Sequence, residues 1–147
     1  MRLRDYFPDG AVVIKKSAKD WQQAIEFSME ALLKNHYINE HYVQAIKDST
    51  LSNGPYYILA PGVAMPHARP ECGALKTGLS LVLLQKPVSF DEGNDPVKLL
   101  IGLAAAQANS HIEAIQALSE LLCEEEHLAA MLNADSIEQL KDIIALA

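Results

Sequence analysis

The segment Thr77-Gly78-Leu79-Ser80-Leu81-Val82-Leu83-Leu84 decides the fold of this chain. It is short and uncharged, and its second half is continuously apolar instead of alternating between apolar and polar residues. A strand with such a run is buried on both faces, as in a sheet that helices cover on either side. We therefore predict a strand over residues 77–84, with a short extension over Pro87–Phe90.

Four further segments extend this prediction to a sheet. Val97–Ala106 has ten residues with one charge and predicts a central strand. A helix stays open there, because alanine is frequent and short apolar runs are ambiguous. The β-branched Val12–Ile14 predicts a first strand, and Tyr56–Ala60 and Val63–Met65 predict two short ones. The turn-rich segment Asp91–Pro96 predicts a loop.

Two helices are predicted in the first third of the chain. At the start of the first, Ser17 followed by Asp20 resembles a capping box. The second begins at Asn39 and stops at Asn53-Gly54-Pro55, because glycine followed by proline ends helices. The expected inward residues are Trp21, Ala24, Ile25, Ser28, Met29, Leu32 and Leu33 in the first helix, and Tyr42, Ala45 and Ile46 in the second.

Three more helices are predicted after residue 109. They begin near Ser110, at about Glu125 and near Ser136. Their expected inward residues are Ile112, Ile115, Leu118 and Leu122, then the apolar positions of 125–132, then Ile137, Leu140 and Ile143 or Ile144. Because strands and helices alternate along the chain, the predicted class is α/β, with helices covering a mixed sheet.

Composition limits what the protein does. The 147 residues suit a single domain, 1–147, with a sizeable core. The net charge of −7, with no basic block, argues against a nucleic-acid or anionic-membrane partner and suits a basic protein partner. No apolar run is long enough to span a bilayer, and Arg2-Leu3-Arg4-Asp5 begins no secretory signal. Cys72 and Cys123 lack metal or redox spacing, so we expect free thiols in a reducing cytoplasm.

The segment Pro61-Gly62-Val63-Ala64-Met65-Pro66-His67-Ala68-Arg69-Pro70-Glu71 is the strongest candidate for a functional site. Its three prolines exclude a regular helix and fix much of the backbone. His67 stands between two of these prolines, at the end of a predicted strand. Imidazole is the side chain best suited to act as a neutral nucleophile near pH 7, so the loop is expected to present His67 at a fixed angle.

The sequence from Gly54 to His67, together with the residues that follow it to Glu71, resembles the enzyme IIA components of the bacterial phosphoenolpyruvate-dependent sugar phosphotransferase system. Among these components it resembles the mannitol/fructose (type 2) class, and the sequence around His67 is most similar to the ascorbate-specific branch. The likeness runs from the opening Met1-Arg2-Leu3-Arg4-Asp5 to the last helix. It implies a three-layer α/β/α sandwich with a mixed, roughly five-stranded sheet.

The resemblance also implies a function. A phosphoryl group is carried on a ring nitrogen of His67, received from phospho-HPr, the histidine phosphocarrier protein. It then passes to a cysteine of a cognate IIB component. The sugar is phosphorylated as it crosses the membrane-embedded IIC component, with ascorbate or a related pentitol-like or sugar-acid compound as the expected substrate. No cofactor, metal or nucleic acid is implied, and oligomeric state is left open.

Three residues are expected to support His67. His111 matches the family's second active-site histidine, at the start of a helix capped by Ser110 with Glu113 as reciprocal partner. A helix N-terminus offers free N–H groups to an anion, so Ser110 is a second phosphate-binding candidate. Arg69 is either a phosphate clamp or a surface partner of Glu71, and the residues do not decide between these. The helix arginine of the mannitol-type relatives is missing, because no arginine stands between Arg4 and Arg69.

Other interpretations remain at this point. The chain is alternatively a regulatory IIA-like domain whose phosphorylation state is a signal, or a metal- or ligand-binding protein that uses His67, His111 and the acidic loop 91–95. Cys72 is expected to be a structural thiol. An apolar docking rim beside His67 is expected from Val63, Met65 and Pro70.

Overall fold

The computed structural model describes residues 2–107, 109 and 111–147. Five strands form one mixed sheet: β1 (Val12–Lys15), β2 (Ile58–Ala60), β3 (Val63–Ala64), β4 (Gly78–Val88) and β5 (Val97–Ala104). The helices are α1 (Trp21–Lys34), α2 (Glu40–Asn53), α3 (Ile112–Cys123), α4 (Glu125–Leu132) and α5 (Ile137–Ile144). Short 3-10 helices cover Leu3–Tyr6 and Pro70–Cys72.

The sheet has the order β1-β4-β5-β3-β2. β1 runs parallel to β4, and β3 runs parallel to β5. β4 and β5 are antiparallel, as are β2 and β3. The ambiguous segment that begins at Val97 is thus a strand, which places both long apolar segments side by side in the middle of the sheet.

The sheet has a hydrophobic core on each face. Leu79, Leu81 and Leu83 of β4 pack in the core that includes side chains of α3, α4 and α5, whereas Val82 and Leu84 pack in the core of α1 and α2. Successive side chains of a strand point to opposite faces, so a continuous apolar run supplies both cores. The expected three-layer α/β/α sandwich is confirmed.

Helix α1 lies unusually close to the sheet. The Ser80 hydroxyl in β4 donates a hydrogen bond to the backbone carbonyl of Ser28 in α1. Gly102 in β5 faces the same carbonyl, and a Cβ atom at this position would collide with it and with the Ser80 hydroxyl. Small residues at these positions therefore set the spacing between the helix and the sheet.

The caps of α1 and α2 follow from their sequences, with one correction. The capping box with Ser17 is wrong, because Asp20 is itself the N-cap and accepts a 2.8 Å hydrogen bond from the Gln23 N–H. The Gln23 side chain reaches back to the Lys19 N–H at 2.8 Å, so the reciprocal pair lies three residues later than expected. Asn39 caps α2 as expected, and Gly54 ends it with a φ of 75°.

The first of the three C-terminal helices begins later than expected, because α3 starts at Ile112 and His111 is its N-cap. Its buried residues are Ala114, Leu118 and Leu121. Ile112 is 57% exposed, contrary to the prediction, because it lies two residues and thus about half a turn from the buried stripe. Ile137 at the start of α5 is also exposed instead of buried.

Candidate functional site

The loop that carries His67 leaves the sheet at the end of β3. One backbone hydrogen bond, from the Leu103 N–H to the Pro66 carbonyl (3.1 Å), continues the pairing with β5 beyond Ala64. Pro66 itself has no N–H to donate. The chain therefore separates from the sheet at His67, and other contacts must hold the residues that follow.

The imidazole of His67 is fixed by the backbone of its own loop. Its Nδ1 lies 2.8 Å from the carbonyl oxygen of Met65. A carbonyl oxygen only accepts hydrogen bonds, so Nδ1 carries the proton in the neutral ring. The lone pair is then on Nε2, the nitrogen that this bond leaves free to act as a nucleophile.

Two tyrosine side chains contact the backbone next to this ring. Tyr56 donates a 2.6 Å hydrogen bond to the His67 carbonyl, and the Ala68 N–H donates to the hydroxyl of Tyr42 at 3.0 Å. Tyr42 in turn donates to the Leu103 carbonyl at 2.8 Å. Burial raises the pKa of Tyr42 to about 12 and also raises the pKa of Tyr56, so both hydroxyls keep their protons at neutral pH.

A cleft of about 640 Å³ opens beside His67. Its lining consists of Ser49, Asn53, Tyr56, His67, Ala68, Arg69 and Cys72. The wall contributed by α2 is therefore neutral, with serine and asparagine on the helix that precedes the motif. Arg69 supplies the cationic side chain of this lining.

Arg69 is exposed and shares the cleft with His67. Within the described residues, ion pairs within 4.0 Å join Lys15 to Glu30 and Lys47 to Glu26, and none joins Arg69 to Glu71. A guanidinium that is not engaged by a neighbouring carboxylate is free to contact a phosphoryl oxygen. The alternative of an ion pair between Arg69 and Glu71 is therefore not seen among the described residues.

His111 approaches the same edge of the sheet from a different strand. His67 follows β3 and His111 follows β5, and the carboxyl ends of these parallel neighbours lie on one edge. Nδ1 of His111 is buried and has no hydrogen-bond partner among residues 2–107, 109 and 111–147. The lining of the His67 cleft includes Arg69 but not His111. The expected Ser110 cap is wrong, because His111 is the N-cap of α3. Ser110 itself, and with it the expected phosphate ligand, lies outside the described residues.

The expected apolar docking rim is wrong in two of its three members. Val63 and Met65 are 1% and 8% exposed and belong to the core of the sheet, because they point inward from β3 and its continuation. The cleft lining does include one exposed aromatic side chain, that of Tyr56. Sequence reasoning missed Tyr42 and Tyr56 as site residues, because a loop tyrosine and a helix tyrosine carry no spacing signal that links them to a histidine.

The remaining candidates contribute little to this site. Cys72 is half-buried at the cleft and Cys123 is exposed, and both are free thiols. No three of the described histidine, cysteine, aspartate and glutamate residues are grouped so that they could hold a metal ion. None of the described helices has the length and apolar character needed to cross a bilayer.

The family model described as "Phosphoenolpyruvate-dependent sugar phosphotransferase system, EIIA 2" matches residues 5–146. The chain belongs to this family. Members of the EIIA 2 family are phosphotransferases that work through a phosphohistidine intermediate, as the resemblance implied. Family membership thus agrees with a site that presents a histidine with one free ring nitrogen.

Relatives with two different substrate names resemble this EIIA 2 chain. The mannitol-specific cryptic phosphotransferase enzyme IIA component of Escherichia coli K12 is 68% identical over 145 residues, which cover 99% of each chain. The ascorbate-specific PTS system EIIA component of Shigella boydii is 39% identical over 147 residues, covering 98% of this chain and 96% of the relative. The sequence identity to this chain is thus considerably higher for the mannitol-specific relative than for the ascorbate-specific one.

Two solved structures share the fold. The solution structure of the mannitol-specific cryptic enzyme IIA from Escherichia coli is 67% identical, covers 100% of both chains and gives a TM-score of 0.95. The complex of enzyme IIAMTL and phosphorylated enzyme IIBMTL from Escherichia coli is 29% identical, with a TM-score of 0.78 over 95% of this chain and 98% of that one. The five-stranded mixed sheet between helical layers is the fold of this family.

Proposed function

We propose that this single domain is the IIA phosphocarrier of a sugar-uptake system, and that Nε2 of His67 receives and donates the phosphoryl group. The observation that carries the proposal is the hydrogen bond from Nδ1 of His67 to the Met65 carbonyl. It leaves the lone pair on the other nitrogen, in a ring that is held still. The chain acts in the cytoplasm and contacts neither the sugar nor the bilayer.

Two transfer steps follow from this tautomer. In the first, Nε2 attacks the phosphorus of phospho-HPr, so that a P–N bond forms on His67 as the donor's P–N bond breaks. In the second, a cysteine thiolate of the IIB component attacks the same phosphorus, forming a P–S bond and returning the electron pair to Nε2. The proton stays on Nδ1 throughout, where the Met65 carbonyl stabilises the positive charge that the phosphorylated ring carries.

The cleft supplies charge stabilisation for the transferred group. Phosphoryl transfer depends mainly on positioning and on stabilising the charge of the equatorial oxygens. Arg69 in the cleft lining is our candidate for this role, with His111 at the start of α3 as the second. The neutral α2 wall, formed by Ser49 and Asn53, leaves Arg69 to act where the mannitol-type pattern has an arginine on the helix.

The transported substrate is proposed from the relatives. The identity of 68% to a mannitol-specific IIA, against 39% to an ascorbate-specific one, favours a sugar alcohol such as mannitol over ascorbate. A IIA component meets proteins and not sugar, so the choice is made by the IIB component that its docking surface accepts. Transfer from the phosphorylated chain to purified mannitol-type and ascorbate-type IIB domains, measured side by side, tests this choice.

Intact-mass spectrometry tests the central proposal. The chain is incubated with phosphoenolpyruvate, enzyme I and HPr, and its mass is read before and after mild acid. We expect one acid-labile phosphate, because a P–N bond hydrolyses in acid. No added mass, with the generic proteins active on another IIA, contradicts the proposal. A labelled chain that passes its phosphate to no IIB component indicates a regulatory IIA-like role instead.

We expect the His111→Ala variant to fold and to accept phosphate, but to exchange it about tenfold more slowly in at least one direction. Nδ1 has no hydrogen-bond partner among the described residues, so the substitution breaks no bond of that nitrogen to them and removes our second candidate for contact with the phosphoryl oxygens. Rapid-quench transfer from HPr and to the IIB component measures the effect. Unchanged rates in both directions remove His111 from the site.

For Arg69→Ala we expect a transfer rate about 10- to 100-fold lower, with the midpoint of thermal unfolding unchanged because the side chain is exposed. Arg69→Lys keeps the charge but not the planar fork, and we expect it to recover only part of the rate. The same rapid-quench assay measures both variants. A rate within twofold of the unsubstituted chain for Arg69→Ala shows that Arg69 is a surface residue.

A further inference from the structure

One peptide group next to the nucleophile is held at both of its polar ends by tyrosine hydroxyls. The peptide bond between His67 and Ala68 has the carbonyl of the first residue and the N–H of the second. Tyr56 donates to that carbonyl at 2.6 Å, and that N–H donates to Tyr42 at 3.0 Å. The two tyrosines come from different segments, Tyr42 from α2 and Tyr56 from the connection between α2 and β2.

The loop needs such contacts because the sheet no longer holds it. The last backbone bond to β5 is made by the Pro66 carbonyl, and neither Pro66 nor Pro70 has an N–H to contribute. The peptide group after His67 joins the nucleophile to Arg69, two residues on. Its orientation therefore sets the position of the imidazole relative to the guanidinium.

The two tyrosines differ in what else they do. Tyr42 is fully buried and also bonds the Leu103 carbonyl at 2.8 Å, so it anchors the loop to the sheet. Tyr56 is 46% exposed, lines the cleft and sets its ring at 86° to the imidazole of His67, with 5.6 Å between ring centroids. Its ring also packs against that of Tyr57 at 4.8 Å, which is buried and limits where Tyr56 can move.

We propose that Tyr56 is a positioning residue for phosphoryl transfer. Its hydroxyl holds the peptide group after His67 against Tyr42, and its ring supports the imidazole, so that Nε2 is presented in one orientation relative to Arg69. This inference rests on the proposed function of His67. It adds a residue whose hydroxyl bonds the His67 carbonyl and whose ring contacts the imidazole, and that neither charge nor metal-ligand chemistry would single out.

The experiment compares Tyr56→Phe, which keeps the ring, with Tyr56→Leu, which loses ring and hydroxyl. Steady-state transfer from HPr and to the IIB component gives kcat and KM for each, and ¹⁵N NMR of the unphosphorylated protein reports the tautomer of His67. For Tyr56→Phe we expect about tenfold lower kcat with KM within twofold, and a larger loss for Tyr56→Leu. We expect the Nδ1-protonated tautomer to persist in both variants, because the Met65 carbonyl that fixes it is untouched, so the loss of kcat reports the orientation of the ring and not its protonation.

Tyr37→Phe is the matched control, since Tyr37 lies between α1 and α2, outside the cleft lining and beside Lys76. It should leave rates and tautomer unchanged. The inference is overturned if Tyr56→Phe keeps the kcat of the unsubstituted chain, or if only KM rises, which makes Tyr56 a docking contact. If the unsubstituted chain takes no phosphoryl group, the proposed function is overturned, and this inference with it. That outcome differs from the first two, in which the unsubstituted chain is active.

Discussion

Replacing His67 with alanine is expected to abolish phosphoryl acceptance completely while leaving the domain folded. The substitution removes the nucleophilic Nε2, and none of the other residues described in the cleft lining is a histidine. The side chain is half-buried in a loop, and Nδ1 bonds the Met65 carbonyl. We therefore expect the free energy of unfolding to fall by no more than about 1 kcal/mol.

The measurement is intact-mass labelling beside a urea unfolding curve. His41→Ala is the matched control, because His41 is an exposed histidine on α2 outside the cleft lining. It should keep one acid-labile phosphate per chain. Stoichiometric labelling of His67→Ala with a normal unfolding midpoint would mean that another residue is the acceptor, and the site proposed here would be wrong.

Of the substitutions predicted here, replacing Gly102 with alanine is expected to lower the free energy of unfolding the most. The added Cβ would collide with the Ser28 carbonyl and with the Ser80 hydroxyl. The first of these is backbone in the middle of α1 and cannot rotate away, so the helix must move off the sheet. Overpacking of this kind in a core costs about 3 kcal/mol. At roughly 2–4 °C per kcal/mol for a domain of this size, the midpoint of thermal unfolding should fall by about 10 °C.

Gly93→Ala provides the comparison for this prediction. Gly93 lies in the exposed 91–96 loop, and the nearest atom to an added Cβ there is Asp91 Oδ1 at 3.8 Å. The same chemical change should alter the free energy of unfolding by less than about 0.5 kcal/mol. Equal unfolding midpoints for the two variants would show that α1 can shift without cost and that Gly102 does not set the helix–sheet distance.

The candidate site was predictable from the sequence only where the signal is local. His67 is marked by its own neighbours, because prolines on both sides fix a loop that follows a strand. Arg69 is two residues away and could be nominated on its charge. Tyr42 and Tyr56 could not be nominated, since they stand 25 and 11 positions from His67 and are joined to it by the folding of α2 over the sheet.

The wrong predictions of exposed and buried side chains also arise because the sequence carries only local signals. Val63 and Met65 are adjacent to His67 in the chain, but β3 pairs with β5 in the interior and turns both side chains into the core. Ile112 is apolar and near His111, yet the direction of α3 against the sheet leaves it in solvent. Nearness along the chain did not predict nearness in space, because side-chain direction depends on which face of an element is covered.

By itself, the sequence determined the class of fold and singled out His67 as the candidate nucleophile. Continuous apolar runs require burial on both faces, helical spacing requires a covering layer, and the proline-framed histidine requires a rigid loop. The tertiary structure alone decided which ring nitrogen of His67 is free, whether Arg69 is paired, and which tyrosines hold the loop. These depend on single hydrogen bonds of about 3 Å between segments far apart in the chain, and a hydrogen bond is lost when its partners separate by little more than half an ångström.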